Sequence, residues 1–349
     1  MSTIRRYDID WLRVIAIALL LIYHIAIVFQ PWAMFIGFVR SKTPLQELWI
    51  PMTMLNVWRI PFLFFVSGMG MYFAMRKRNW KQLIWERSRR ILLPFLFGII
   101  AITPIHIYIF QLFYKLPTSY YPHQGHLWFL GNIFVYVLLF LPVFYLLKHK
   151  EVGWFKRLVD RLMDNPLGPL VVSILFMIEG LLLKPQVYAM YAETWHGFFL
   201  GALAFFFGFL FVYSGSNFWN TVKKWKWGYL ILALILYGIR YIEFQMEAPS
   251  YLMALESICW VLSLFGIGYH YLNKPTKVLS YLSQAAYPVY IIHMAVLYAS
   301  SLWILKLDIP LLMQFLAITT FTFVLCFIIY EFLIRRISVL RVLFGLKSK

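Results

Sequence analysis

Apolar residues along this chain are gathered into long runs separated by short polar stretches. Runs close to the roughly 20 residues needed to cross a bilayer lie at about residues 11–30, 56–75, 91–113, 127–147, 168–186, 196–214, 227–246, 251–272, 285–305 and 310–334. Each predicts a helix. The fifth is the least regular, because Glu179, Gly180, Lys184 and Pro185 interrupt it. No soluble domain, linker, low-complexity tract or internal repeat separates the runs. The pattern predicts an all-α fold: a polytopic integral membrane helical bundle of about ten transmembrane helices, with residues 1–349 as a single integral membrane domain.

Composition agrees, with 62% hydrophobic, 20% aromatic and 13% charged residues and a mean hydropathy of +0.74. The formal charge of +18 changes the picture only through its distribution. With the N-terminus inside, 24 of the 32 Lys and Arg residues fall in inner segments, five in outer segments, and Arg13, Arg59 and Arg240 in or at helices. That asymmetry places both termini in the cytoplasm of a multi-pass protein of the cytoplasmic membrane. Basic residues that punctuate apolar runs suit anionic lipid and exclude nucleic acid as a partner. Cys259 and Cys326 are isolated, so neither a disulfide framework nor a metal site is expected. The first apolar run is too long for the core of a cleaved signal peptide.

Ionisable residues inside these runs carry the candidate chemistry. On the first helix, Asp10, Arg13 and His24 share one face at 100° per residue, with His24 about 20 Å deeper by helix rise. An ionisable group in hydrocarbon costs on the order of 2.5 to 3.5 kcal/mol, so that face should point into the bundle or a wet cavity. Asp10 and Arg13 could equally be a one-turn ion pair at the headgroups. A buried His is suited to proton transfer, and a base needs an acidic neighbour; depth makes Glu179 the first candidate. Arg59, Arg240 and Glu256 suggest a polar region in the outer half, or a set of pairs among Glu179, Arg240, Glu243 and Glu256. The loop "MRKRNWKQLIWERSRRILLPF", in which Pro94 starts the next helix, holds seven cations that fit either a phosphate-bearing ligand or lipid headgroups. "HQGHLWFLGN" sets His123, His126 and Trp128 at the outer mouth of the fourth helix. No GxSxG, HExxH, Walker or GxGxxG motif occurs in a supporting context.

Taken in order, these segments resemble acyltransferase family 3, over nearly the whole chain. "YDIDWLRVIAIALLLIYHIAIVF" is similar to the family's opening helix, with Asp10, Arg13 and His24 in matching places. "RIPFLFFVSGMGMYFAMRKR" resembles its second helix, including Ser67 and Gly68, and "RSRRILLPFL" supplies an Arg-x-x-Arg at Arg87 and Arg90. "HLWFL", "LSQAAYPVYIIHMAV" ending at His293, and "YEFLIRR" with Glu331 look like its later signatures. Trp11 departs from the Gly found in many members, and no fused esterase-like domain follows. Within the family, the branch of the glucans biosynthesis protein C is most similar.

The resemblance implies an O-acyltransferase that moves an acetyl or succinyl group from cytoplasmic acyl-CoA, a co-substrate, to a hydroxyl of an extracytoplasmic glycan or lipid-linked sugar. No permanently bound cofactor is expected. His24 would be general base or acyl carrier, assisted by Asp10, Arg13 and Glu179. Arg87, Arg90, Ser67 and His293 would bind the donor, and His126, Trp128 and Arg240 the acceptor. The rival from another class is a transporter or flippase for a sugar- or lipid-like substrate, since ten helices around buried charge also suit a pathway.

Overall fold

The computed structural model describes residues 5–149 and 153–347, and among them there is no strand. The long helices are α1 (Tyr7–Ile27), α2 (Gln46–Met75), α3 (Trp80–Phe113) and α4 (Gly125–Lys148). A surface helix, α5 (Trp154–Met163), precedes the short apolar α6 (Val171–Leu183). Then come α7 (Trp195–Tyr213), α8 (Ser216–Phe244), α9 (Ser250–Tyr271), α10 (Lys277–Ile304) and α11 (Leu311–Ile334), and finally α12 (Ser338–Leu343). Nine of the described helices have the length and apolarity to cross a membrane.

The interrupted fifth run forms the 13-residue α6, about 20 Å long by helix rise and short of a full span. Its ends are nevertheless tied to opposite ends of its neighbours. On the α5 side, Lys156 lies 5.4 Å from the Tyr213 ring at the end of α7 and Tyr229 donates to the Pro166 carbonyl. At the other end, Glu179 meets His196 in the first turn of α7. α6 therefore packs antiparallel to α7, and the ten expected spans become nine described helices long enough to cross, with the fifth run a shorter helix beside them.

Hydropathy marks the lipid-crossing stretch, and the helices run past it. The basic segment expected as a loop is helical from Trp80 onward, and Pro94 sits inside α3 rather than opening it. α3 widens into π turns at Ser88–Leu92 and Gly98–Ile102, each ending two residues before a proline. Pro94 and Pro104 have no N–H, so the carbonyls of Arg90 and Ile100 lose their usual donors. Tyr120 Oη donates to the Ile100 carbonyl at 2.8 Å. In α2 the carbonyl freed by Pro61 is that of Val57, and Tyr191 Oη donates to it at 2.9 Å. In hydrocarbon such a replacement partner must come from the protein itself.

The residues group into two compact units. One gathers the described residues within Met1–Ala16, Met54–Trp85 and Asn132–Leu279, the other those within Ile17–Thr53, Glu86–Gly131 and Ser280–Lys349. The first is drawn together by glycine. A Cβ on Gly68 would lie 1.9 Å from the Phe205 carbonyl oxygen, and one on Gly208 would lie 2.1 Å from that of Phe65. α2 and α7 thus cross with a reciprocal glycine on each backbone, the close approach by which helices pack where no hydrophobic effect drives them. In the second unit α11 is inside out by the standards of a water-soluble helix. Gln314, Ile318, Thr322 and Cys326, four residues apart, are buried, while Leu312, Leu316, Phe321 and Ile328 are exposed. Such an exposed face suits lipid.

Gly68→Ala and Gly208→Ala should each lower the melting temperature in detergent, because overpacking at a backbone contact costs about 1 to 3 kcal/mol. Gly238→Ala, at a helical position with nothing within 4 Å of the added carbon, should leave the melting temperature unchanged or raise it.

Candidate active site

Five of the chain's eight histidines, at positions 24, 106, 123, 126 and 293, belong to the second unit. α1 carries His24 in its last turn, and α10 carries His293, which is fully buried. His24 Nδ1 lies 2.8 Å from His293 Nε2, with the two ring planes within 4° of parallel. His293 Nδ1 lies 2.6 Å from the Tyr290 carbonyl. A carbonyl only accepts, so His293 carries its proton on Nδ1 and, when neutral, presents a lone pair at Nε2. His24 must then donate from Nδ1, which leaves its own Nε2 as the basic nitrogen. The backbone of α10 thereby sets the tautomer of a side chain on α1.

A second pair flanks the first. The His126 ring is 4.9 Å from that of His293 and nearly perpendicular to it. His126 Nε2 donates to the Ile291 carbonyl at 3.1 Å, so its Nδ1 is an acceptor; that atom is buried and has no hydrogen-bond partner among the described residues. His106, on α3, packs 5.7 Å from His126. The turn that delivers His126 depends on Gly125, whose φ is +45° and whose N–H donates to His123 Nδ1 at 3.0 Å. Thr103 Oγ1 anchors the same turn through the His123 carbonyl. Phe38, from the segment after α1, lies 5.8 Å from the His24 ring. Among the described residues no group of three or more His, Cys, Asp or Glu is arranged to hold a metal ion.

The cations expected at the donor side lie in the same unit, on the first π turn of α3. Glu86 sits between them, 3.2 Å from Arg90 and 3.7 Å from Arg87. Their side chains are 40% and 19% exposed, accessible enough to exchange a weak carboxylate contact for a phosphate.

In the first unit the polar residues pair among themselves. Arg240 donates from Nε and Nη2 to both oxygens of Glu256, at 2.7 and 2.9 Å, with side chains 1% and 0% exposed. Glu179 meets His196 Nδ1 through both carboxylate oxygens, while His196 Nε2 lies 2.8 Å from the Tyr188 carbonyl. Burial holds the Tyr188 phenol well above its ordinary range, with Tyr191, Glu179 and Glu256 adding to the effect. Asp10 bridges Arg5 and Arg13. Ser67 Oγ donates to Leu63 in its own helix.

One unit thus holds both a histidine pair with an assigned tautomer and a guanidinium pair on a π turn. A family model described as an acyltransferase domain, of the family 3 type, matches residues 6–331. The chain belongs to this acyltransferase family. It is a multi-pass membrane O-acyltransferase, and the rival expectation of a transporter gives way to an enzyme. Searches of curated proteins and of solved structures find no match.

Within this acyltransferase the expected site residues are sorted differently from their grouping by depth and motif. His24 and His293, expected in separate catalytic and donor-binding roles, are brought together with ring nitrogens 2.8 Å apart. Glu179 is engaged by His196, so the partner expected for His24 is replaced by an imidazole. Arg240 is sealed by Glu256, the internal pairing that was the alternative to an acceptor role. Trp128 is buried, only 7% exposed, rather than at an open mouth. Asp10 and Arg13 form the one-turn ion pair. Sequence reasoning did not single out His106, Tyr290 or His196, whose partners are backbone carbonyls or residues on other helices.

Arg240→Met leaves the Glu256 carboxylate buried without its cation and should cost about 3 to 5 kcal/mol of stability. Adding Glu256→Leu should recover most of that loss, as read from thermal unfolding of the purified variants.

Proposed function

We propose that this acyltransferase moves an acyl group from acyl-CoA, delivered from the cytoplasm, to a hydroxyl of an extracytoplasmic glycan or lipid-linked sugar, with His24 Nε2 as general base. The observation that carries the reading is the chain of hydrogen bonds from the Tyr290 carbonyl through His293 to His24. The acceptor hydroxyl gives its proton to Nε2 as its oxygen bonds to the thioester carbon. The C–S bond then breaks, and the proton passes from Nε2 to the leaving thiolate, so base and acid are the same atom. While protonated, His24 shares its charge through Nδ1–H with His293, whose own Nδ1–H rests on the helix backbone. His126 Nδ1, a buried acceptor beside this pair, suits a second hydroxyl of a sugar.

Arg87 and Arg90 are proposed to hold the CoA phosphates, displacing Glu86. Acetyl and succinyl both remain acyl groups of the right class; succinyl on a periplasmic glucan follows only from the branch resemblance. The cytoplasmic membrane follows from the distribution of Lys and Arg.

Acyl-CoA consumption in reconstituted vesicles tests the assignment. His24→Ala should reduce turnover by about 10³-fold with CoA binding retained. His293→Gln should lower kcat by about 100-fold at unchanged KM, the effect of misorienting a base. Arg87→Ala with Arg90→Ala should weaken CoA binding by about 100-fold. Turnover that survives loss of His24 would remove the general base from this reading.

A further inference from the structure

Between the guanidinium pair and the histidines lies a buried hydroxyl that no function has yet absorbed. Tyr287 Oη is enclosed and has no hydrogen-bond partner among the described residues. It stands on α10 one turn before Tyr290, whose hydroxyl and carbonyl engage His126 and His293 respectively. From Tyr287 to His293 the helix rises about 9 Å. The other end of this position is marked by the C-terminal segment. Gly345 has a φ of +71°, and a Cβ there would lie 2.8 Å from Tyr287 Cε1, 2.8 Å from the Arg90 carbonyl oxygen and 3.2 Å from Pro94. Phe344, packed 5.4 Å from Phe97, holds the segment in place, as does Arg341, which donates to the Arg335 and Lys347 carbonyls. Tyr287, Arg90 and the segment after α12 therefore meet at one point. That segment lies beyond residue 331, where the family match ends.

We infer that Tyr287 and the backbone around Gly345 form a subsite for the amide-bearing arm of the thioester donor. The inference rests on the reading of His24 and Arg87 with Arg90 as the two ends of the donor site. An arm running from phosphates near Arg90 to a thioester near His24 carries two amides. A buried phenol without a partner in hydrocarbon is costly, and an amide carbonyl would accept from it. Gly345 is needed because a Cβ there would press within 2.8 Å of both the Tyr287 ring and the Arg90 carbonyl oxygen, so only glycine lets the segment close against them. No covalent step belongs to this subsite; it aligns the donor and excludes lipid.

The test compares three thioesters of one acyl group: acyl-CoA, acyl-pantetheine, which has the amides but no nucleotide, and S-acyl-mercaptoethanol, which has neither. Tyr287→Phe should raise KM for the first two by about 10-fold with kcat within about two-fold, and leave the third unchanged. CoA binding by calorimetry should weaken by the same factor. A loss shared equally by all three thioesters, or no loss, overturns the subsite and leaves the wider reading intact. No turnover of any thioester by the wild type defeats that reading and the subsite with it. Should Tyr287→Phe fail to fold, Gly345→Ala acts on the same contact from the opposite side. The same selective loss is then expected, and an equal loss across the three donors overturns the inference.

Discussion

Hydrocarbon offers a polar group no partner, and the buried ion pairs of this protein answer to that constraint. Arg240 is acceptable in α8 because both oxygens of Glu256 receive it. Glu179 is acceptable in α6 because His196 does. Even backbone carbonyls stripped of their donors by proline are covered, with Tyr191 serving Val57 and Tyr120 serving Ile100. Several buried polar atoms have no hydrogen-bond partner among the described residues, and His126 Nδ1 and Tyr287 Oη are two of them. Both belong to the unit that holds His24, which is why the proposals place substrate groups there.

His24 illustrates how the tautomer of one imidazole can be set through another. A carboxylate beside His24 would hold a proton strongly and need its own desolvation offset. His293 instead passes the orienting role to the Tyr290 carbonyl, a fixed dipole whose placement follows from the path of α10. The tautomer of His24 is thus decided by backbone geometry. In the proposed reaction, proton movement between hydroxyl, Nε2 and thiolate needs no net charge to enter or leave the bilayer.

Proline shapes the turn that carries Arg87 and Arg90 in the same manner. Pro94 unsettles the helical turn around Arg90, and the π turn at Ser88–Leu92 is the result. A widened turn changes which way its residues face and leaves a carbonyl free to be approached closely. Gly345 makes that approach. The Arg-x-x-Arg motif and the proline shortly after it therefore act together.

The sequence by itself determined the all-helical fold class and most of the long apolar helices, because the length of an apolar run is read by the bilayer without reference to any neighbour. It also singled out His24, Arg87 and Arg90 as candidates, since an ionisable group on an apolar helix must be explained wherever it occurs. Partnership was decided only by tertiary structure. Depth alone made Glu179 the natural companion of His24 and made Arg240 a ligand for substrate. The packed chain gave Glu179 to His196 and Arg240 to Glu256, and brought His293 from 269 residues away to His24. Helix rise fixes how deep a residue sits, but which helix faces it depends on packing. Here packing was set by contacts such as Gly68 on Phe205 and Gly208 on Phe65. Backbone carbonyls are equally silent in a sequence, which is why the groups that orient His293 and His126 could be seen only once α10 was in place.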